Sequence, residues 1–135
     1  MHSFAANVSK AGWVLIVLGT IVWSMTMVKS AWPQKYGLGF WGPNGHDGVW
    51  HISLINSLAQ SSLEMPIFAG EKIKNYHIGF DLLLAGIHRI TQIPAHTLYF
   101  QIIPPILALL IGVLSYKFVY LWKRSKGAAF WSTFF

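Results

Sequence analysis

The feature that most constrains this chain is a pair of long apolar segments, residues 11–28 and residues 97–122. The first carries no charge, and the second carries none before Lys117. At about 1.5 Å per residue, the first segment covers about 27 Å, close to the roughly 30 Å hydrocarbon core of a bilayer. Lys117 is near enough to the end of its segment for its ammonium to reach the headgroups. The sequence therefore predicts two transmembrane helices.

A cleaved signal peptide is the alternative for the first segment. Lys10 would then form the basic leader, and Val28-Lys29-Ser30 would serve as a poor cleavage site. The apolar run is longer than the roughly 7–15 residues of a signal-peptide core, and a second apolar segment of spanning length follows. Trp13 and Trp23 also lie near the ends of the segment, as interfacial anchors do. These features favour a retained span.

The composition agrees with a membrane protein. Charged residues make up 10% of the 135-residue chain and apolar residues 54%, whereas soluble chains carry roughly 25% charged residues. The net charge is +6, but the basic residues lie beside the apolar segments, so nucleic acid is not expected as a partner. The absence of cysteine excludes disulfides and thiolate metal sites. The expected partner is the lipid bilayer.

The basic residues also predict the orientation. The turn of residues 123–126, Lys-Arg-Ser-Lys, follows the second span, and Lys10 precedes the first. Because short basic segments stay in the cytoplasm, both ends are expected there and the loop of residues 29–96 outside. The apolar residues 127–135 are predicted to begin a third hydrophobic segment. We therefore expect the N-terminal part of a multi-pass protein of a bacterial inner or plasma membrane, with the remaining transmembrane helices as partners.

Two stretches of the external loop have helical periodicity. Residues 47–63 and residues 77–91 carry apolar side chains at three- and four-residue spacing, and a proline follows each stretch. Both are too short to span a bilayer and are amphipathic, so they are expected to lie in the headgroup plane. A soluble external hairpin is the alternative. The predicted fold class is all-α: a polytopic membrane fragment with two transmembrane helices and two juxtamembrane helices.

The same loop holds all four acidic residues and five of the six histidines. Asp47 lies in the densest polar stretch, GPNGHDGVWH (residues 42–51), where glycines and a proline favour tight turns. Asp47 is interpreted either as the N-cap of the following helix or as a general base or ligand-orienting carboxylate at the lipid–water boundary. If the helix includes Asp47, His51 lies one turn away on the same face.

An Asp47–His51 pair would suit a divalent cation, so the cofactor is left open. The spacing of His46, Asp47 and His51 matches no standard zinc site, and no metal ligand set is predicted. Asp47 is the candidate catalytic residue. The candidate substrate-binding residues are His46, His51, Tyr76, His77 and Asp81.

The second predicted loop helix repeats the four-residue spacing with His77 and Asp81. A solvated polar face is the alternative to a site there, and Tyr76-His77 would then be an interfacial aromatic pair. The cations Lys72, Lys74 and Arg89 are candidates to meet a phosphate, although exposed charges are weak evidence of a site.

The order of these features resembles that of the GT-C superfamily of membrane glycosyltransferases: a cytoplasmic N-terminus, one span, and a large external loop with an Asp soon after the span. The stretches GHDGVWHISLINSL and PIFAGEKIKNYHIGFDLLLAG are similar to the first-loop region of uncharacterised bacterial members. The resemblance implies two loop helices along the bilayer, a polyprenyl-phosphate sugar as donor, and transfer on the external face. It implies that Asp47 is the first-loop acidic residue that acts as catalytic base or helps to bind a metal. Some branches carry an Asp-Glu pair where this chain has Asp47-Gly48, so their acceptors do not carry over.

A non-enzymatic membrane subunit or transporter fragment is the competing interpretation. Its loop helices would dock a partner, Asp47 and His51 would tolerate alanine, and Leu58→Asp would disrupt assembly.

Overall fold

The computed structural model describes residues 8–68 and 70–134. The described chain is mostly helical, and two of its helices are long and apolar enough to cross a membrane. These are α1 (Lys10–Val28) and the continuous helix Ala95–Lys123, which has 29 residues. Only 17% and 28% of their most apolar windows are buried within the protein, so most of that apolar surface faces outward. This confirms the prediction of a mostly helical chain with two helices of spanning length and composition.

The long second helix has three parts. It begins as the single turn α4 (Ala95–Thr97), widens into a π-helical turn (Leu98–Ile102), and continues as α5 (Ile103–Lys123). Pro104 and Pro105 follow the wide turn after one residue, Ile103. Because prolines lack the N–H that an α-helix needs one turn back, the helix cannot keep its regular hydrogen bonds here. The two prolines thus coincide with the irregular turn.

One compact unit comprises the described residues 8–26 and 104–134. Its core joins Ile16 of α1, Tyr116 of α5 and Ala129 of α6 (Lys126–Trp131). Gly12 permits this packing, because a Cβ there would lie 2.9 Å from Cε2 of Tyr116. Ser125 caps α6, its hydroxyl accepting a hydrogen bond from the Ala128 N–H at 3.3 Å. The apolar residues predicted to open a third segment therefore begin as a short capped helix.

The second compact unit comprises residues 27–103, without residue 69. It opens with a small antiparallel hairpin of β1 (Trp32–Gln34) and β2 (Gly37–Gly39), in which Trp32 pairs with Gly39. The all-α prediction did not include these strands. Buried Ser30 holds the next segment, since its hydroxyl accepts hydrogen bonds from the Trp41 N–H at 3.3 Å and the Asn44 side-chain amide at 2.9 Å.

Two helices pack together in this unit, α2 (Asp47–Ala59) and α3 (Gly79–Thr91). Their shared core contains Ile55, Leu58, Leu84, Ala85 and Ala95. The first helix ends four residues before the predicted residue 63, because Ser61 adopts a left-handed conformation with φ 62°. The second begins two residues after the predicted residue 77. Within these limits the two predicted loop helices are present.

Helix α3 exposes an apolar face and buries a charged residue. Its buried stripe is formed by Asp81, Leu84 and Ala85, whereas Leu83 and Ile90 are 59% and 85% exposed. Residues three and four apart share a helix face, so the carboxylate of Asp81 lies on the side that packs in the protein. An apolar face therefore remains uncovered on the opposite side of α3.

Candidate functional site

Asp47 is placed by the tight turn that precedes α2. A 3₁₀ turn (Gly42–Gly45) leads to His46 at the N-cap, and Asp47 is the first residue of the helix. The N-cap interpretation of Asp47 is therefore wrong, and no side chain caps this helix end. Asp47 Oδ1 contacts His46 Nδ1 at 2.9 Å, with the two side chains 78% and 93% exposed. A carboxylate at this end of a helix is favoured by the helix dipole and open to a ligand.

His51 does not pair with Asp47, although both lie in α2. Its Nδ1 instead contacts Asp81 Oδ1 of α3 at 2.8 Å. The His51 side chain is 20% exposed and that of Asp81 only 1%. The expectation of a solvated polar face is thus wrong for Asp81, because α3 turns this carboxylate against α2. The structure brings two predicted site residues together across two helices, in a pairing that the spacing did not predict.

The second carboxylate oxygen of Asp81 is unusual. Among the described residues, Oδ2 has no hydrogen-bond partner and is shielded from solvent. Buried polar atoms nearly always find a partner, since an unmade hydrogen bond in a low-dielectric interior costs about 1–3 kcal/mol or more for charged groups. A site retained at this cost is a candidate for function.

Aromatic rings surround the His51–Asp81 pair. The His51 ring stacks on Tyr99 with centroids 5.4 Å apart and an interplanar angle of 18°. Trp50 donates its indole N–H to the Tyr76 hydroxyl at 2.9 Å, and Tyr76 stacks on His77 at 4.6 Å. Tyr76 also lies 6.4 Å from the His51 ring. The predicted site residues Tyr76, His77 and His51 are therefore linked through ring contacts.

His77 does not belong to α3, which begins at Gly79. The predicted one-turn relation between His77 and Asp81 is consequently absent, because that relation requires both residues in one helix. In the described part of the chain, no hydrogen bond or ion pair joins them. His77 contributes to the site by stacking on Tyr76.

The π-helical turn supplies the contacts that sequence reasoning missed. Tyr99 stacks on His51. Phe100 is fully buried and lies against Gly48, and the Gln101 side-chain amide donates to the Ser30 carbonyl. The local signal for this arrangement is the Pro104-Pro105 pair that follows, because prolines lack the N–H that a regular α-helix needs. Such π-helical turns are frequent at functional sites.

Gly48 is required by the approach of Phe100. A Cβ at position 48 would lie 2.3 Å from Cζ of Phe100, well inside van der Waals contact. Phe100 cannot easily move, because it is buried and makes edge contacts with Phe40 and Tyr99. This gives a physical reason for glycine, rather than a second carboxylate, after Asp47.

Gly48→Ala is expected to destabilise the α2–α3 unit by about 1–3 kcal/mol, the usual cost of overpacking. The matched control is Gly86→Ala in α3, where a Cβ meets nothing within 4 Å. That change is expected to stabilise by about 0.5–1 kcal/mol, because alanine favours the helix. Hydrogen exchange of α2 and α3 amides in lipid nanodiscs measures both. Equal effects of the two substitutions would contradict the Gly48–Phe100 contact.

An open cleft of about 300 Å³ lies beside the start of α2. It is lined by Gly45, His46, Val49, Trp50, Ser53 and Ile67. His46, which lines the cleft, contacts Asp47 at 2.9 Å, so the cleft offers space for a small ligand beside Asp47.

The metal and phosphate expectations have different outcomes. Within residues 8–68 and 70–134, no group of three or more His, Cys, Asp or Glu side chains is placed to hold a metal ion. A cation bound by fewer protein ligands stays a prediction. Arg89 donates to the Ser61 hydroxyl at 3.0 Å, and it lies eight residues, or about 12 Å, along α3 from Asp81. Arg89 is therefore not part of the candidate site.

Comparisons with protein-family models, with curated proteins and with solved structures give no match for this chain. The function is accordingly argued from the site itself.

Proposed function

We propose that this chain is the N-terminal portion of an integral membrane glycosyltransferase of the GT-C type. It would transfer a sugar from a polyprenyl-phosphate donor to an acceptor hydroxyl on the external face. The observation that carries the proposal is the position of Asp47, a 78% exposed carboxylate at the first residue of a helix. Asp47 follows an apolar helix of spanning length by only 19 residues, Val28 being the last residue of that helix. Loss of sugar transfer in an Asp47→Asn protein tests this assignment.

The lipid bilayer suits the uncovered apolar surfaces. In this proposal α1 and Ala95–Lys123 cross the membrane, and the exposed apolar face of α3 rests on the lipid. Leu83 and Ile90 would then leave water, and each fully buried leucine or isoleucine side chain contributes about 1.5–3 kcal/mol. Asp47, on α2, would stand at the level of the headgroups, where the phosphate of a lipid-linked sugar also lies.

The chemistry requires one proton transfer and one displacement. The acceptor oxygen forms a bond to the anomeric carbon while the bond from that carbon to the phosphate oxygen breaks, and the polyprenyl phosphate leaves with the electron pair. The acceptor hydroxyl gives up its proton to a base on the enzyme. In this proposal Asp47 contacts the acceptor, as the base or through a divalent cation. In this proposal the acceptor binds in the cleft lined by His46 and Trp50.

The orientation predicts which sites a membrane-impermeant thiol reagent can reach. The chain has no cysteine, so the thiol reagent labels only the single cysteine that is introduced. Tyr36→Cys, at an 84% exposed position in the loop, is expected to react in intact cells. Lys126→Cys, in the basic turn, is expected to react only after the membrane is permeabilised. The reverse pattern would contradict an external Asp47.

A partner-docking membrane subunit is the second candidate, and the exposed apolar face of α3 favours it. The docking surface would be this face, with Leu82, Leu83 and Ile90 exposed. Leu58 belongs instead to the core between α2 and α3, where it is 7% exposed. The expectation that Leu58→Asp tests docking is therefore wrong, since this change would disrupt the fold of the unit.

A further inference from the structure

We infer that His51, held by the buried carboxylate of Asp81, is the base that takes the proton of the acceptor hydroxyl. This inference rests on the proposed function and assigns the proton transfer within it. Asp47 then keeps the role of orienting the acceptor or a divalent cation. The assignment depends on four observations: the His51–Asp81 hydrogen bond, the burial of Asp81, its unpartnered oxygen, and the stacking of His51 on Tyr99.

The hydrogen bond fixes which ring nitrogen is available. Asp81 Oδ1 lies 2.8 Å from His51 Nδ1, and an ionised carboxylate only accepts hydrogen bonds. The inference therefore assigns the proton to Nδ1, which leaves Nε2 for a ligand. In the neutral ring, Nε2 is a proton acceptor. A buried aspartate that orients histidine through Nδ1 is the arrangement by which hydrolases keep a general base in the correct tautomer.

His51 and Asp47 differ in their exposure to water. The carboxylate of Asp47 is 78% exposed, so water competes for its hydrogen bonds and screens its charge. The His51 side chain is 20% exposed, and Asp81 behind it is 1% exposed. When His51 takes a proton, the positive ring forms next to a negative carboxylate in a region shielded from solvent.

The ring is also held in place. Tyr99 stacks on it at 5.4 Å, and the hydrogen bond to Asp81 fixes its rotation. A ring held in this way needs little rearrangement to take a proton.

The reaction is balanced with these groups alone. The acceptor O–H proton moves to His51 Nε2, the acceptor oxygen bonds to the anomeric carbon, and the carbon–oxygen bond to the phosphate breaks. The phosphate keeps the electron pair of that bond. His51 later releases its proton to water. Asp81 is a positioning residue, because it acts on the acceptor through His51.

The first experiment measures the tautomer of His51 in this chain, in lipid nanodiscs with ¹⁵N-labelled histidine. Two-bond ¹H–¹⁵N correlation spectra distinguish a ring protonated at Nδ1 from one protonated at Nε2, and His51→Gln assigns the signal. The neutral His51 ring is expected in the Nδ1–H form, and Asp81→Asn is expected to mix the two forms. A His51 ring in the Nε2–H form would overturn the inference, whether or not the chain belongs to a glycosyltransferase.

The second experiment measures transfer by the full-length protein from synthetic polyprenyl-phosphate glucose, mannose and galactose. His51→Gln and Asp81→Asn are each expected to lower kcat by about 10²- to 10⁴-fold with little change in KM for the donor. Added imidazole is expected to restore part of the activity of His51→Ala. Unchanged kcat in His51→Gln would overturn the inference and leave the proposed function standing. Absence of transfer by the wild-type protein from all three donors would instead remove the proposed function.

Discussion

Asp47→Asn in the full-length protein is expected to lower sugar transfer by about 100-fold or more. The amide has the size of the carboxylate but no charge, so it neither orients an acceptor hydroxyl strongly nor holds a divalent cation. Membrane insertion and the folding of α2 should not change, because the exposed Asp47–His46 pair contributes only about 0–1 kcal/mol. The measurement is transfer of radiolabelled sugar from polyprenyl-phosphate donors in proteoliposomes.

The matched control is Glu71→Gln, which removes another exposed carboxylate of the same loop. Glu71 contacts the loop through its backbone, its carbonyl accepting from the Met65 N–H at 2.7 Å, and the side chain is not part of the site. This variant is expected to keep its activity. Full activity in Asp47→Asn would remove the case for catalysis at this position. If Asp47→Asn kept full activity and Ile90→Asp lost a binding partner, the two results together would support the partner-docking membrane subunit instead.

The coarse fold was predictable because it depends on the hydropathy and periodicity of neighbouring residues along the chain. The uncharged residues 11–28 match α1, and the start and end of α3 lie within two residues of prediction, since periodicity and prolines mark helices locally. The hairpin of β1 and β2 was not predicted. Its strands have three residues each, which is too short for an alternating pattern to be recognised.

The candidate site was only half predictable, for a physical reason. Spacing within one helix shows which residues share a face, but it does not show which face packs. His51 and Asp47 were paired by spacing, whereas α3 turns Asp81 inward and brings it to His51 from 30 residues away. Tyr99 and Phe100 enter from the π-helical turn, another long-range contact. In a protein bounded by lipid an apolar helix face can point outward, so the usual rule of apolar side chains inward is unreliable.

His51→Ala and Asp81→Leu are expected to have opposite effects on stability, although they break the same hydrogen bond. Removing the histidine leaves a buried carboxylate without a partner, which costs about 3–5 kcal/mol. Removing the carboxylate leaves a histidine that is 20% exposed and able to reach water, and leucine fills the apolar space between α2 and α3. Replacing buried charges with apolar side chains is often neutral or stabilising by about 1–4 kcal/mol.

Hydrogen exchange of the α2 and α3 amides in nanodiscs measures these changes as free energies of local opening. The double variant His51→Ala/Asp81→Leu is expected to recover most of the loss seen in His51→Ala, because no buried charge remains. Strong destabilisation by Asp81→Leu would show that Asp81 is kept for the fold. A neutral or stabilising effect would mean that the carboxylate is retained against stability, and retention against stability is the physical signature of a functional group.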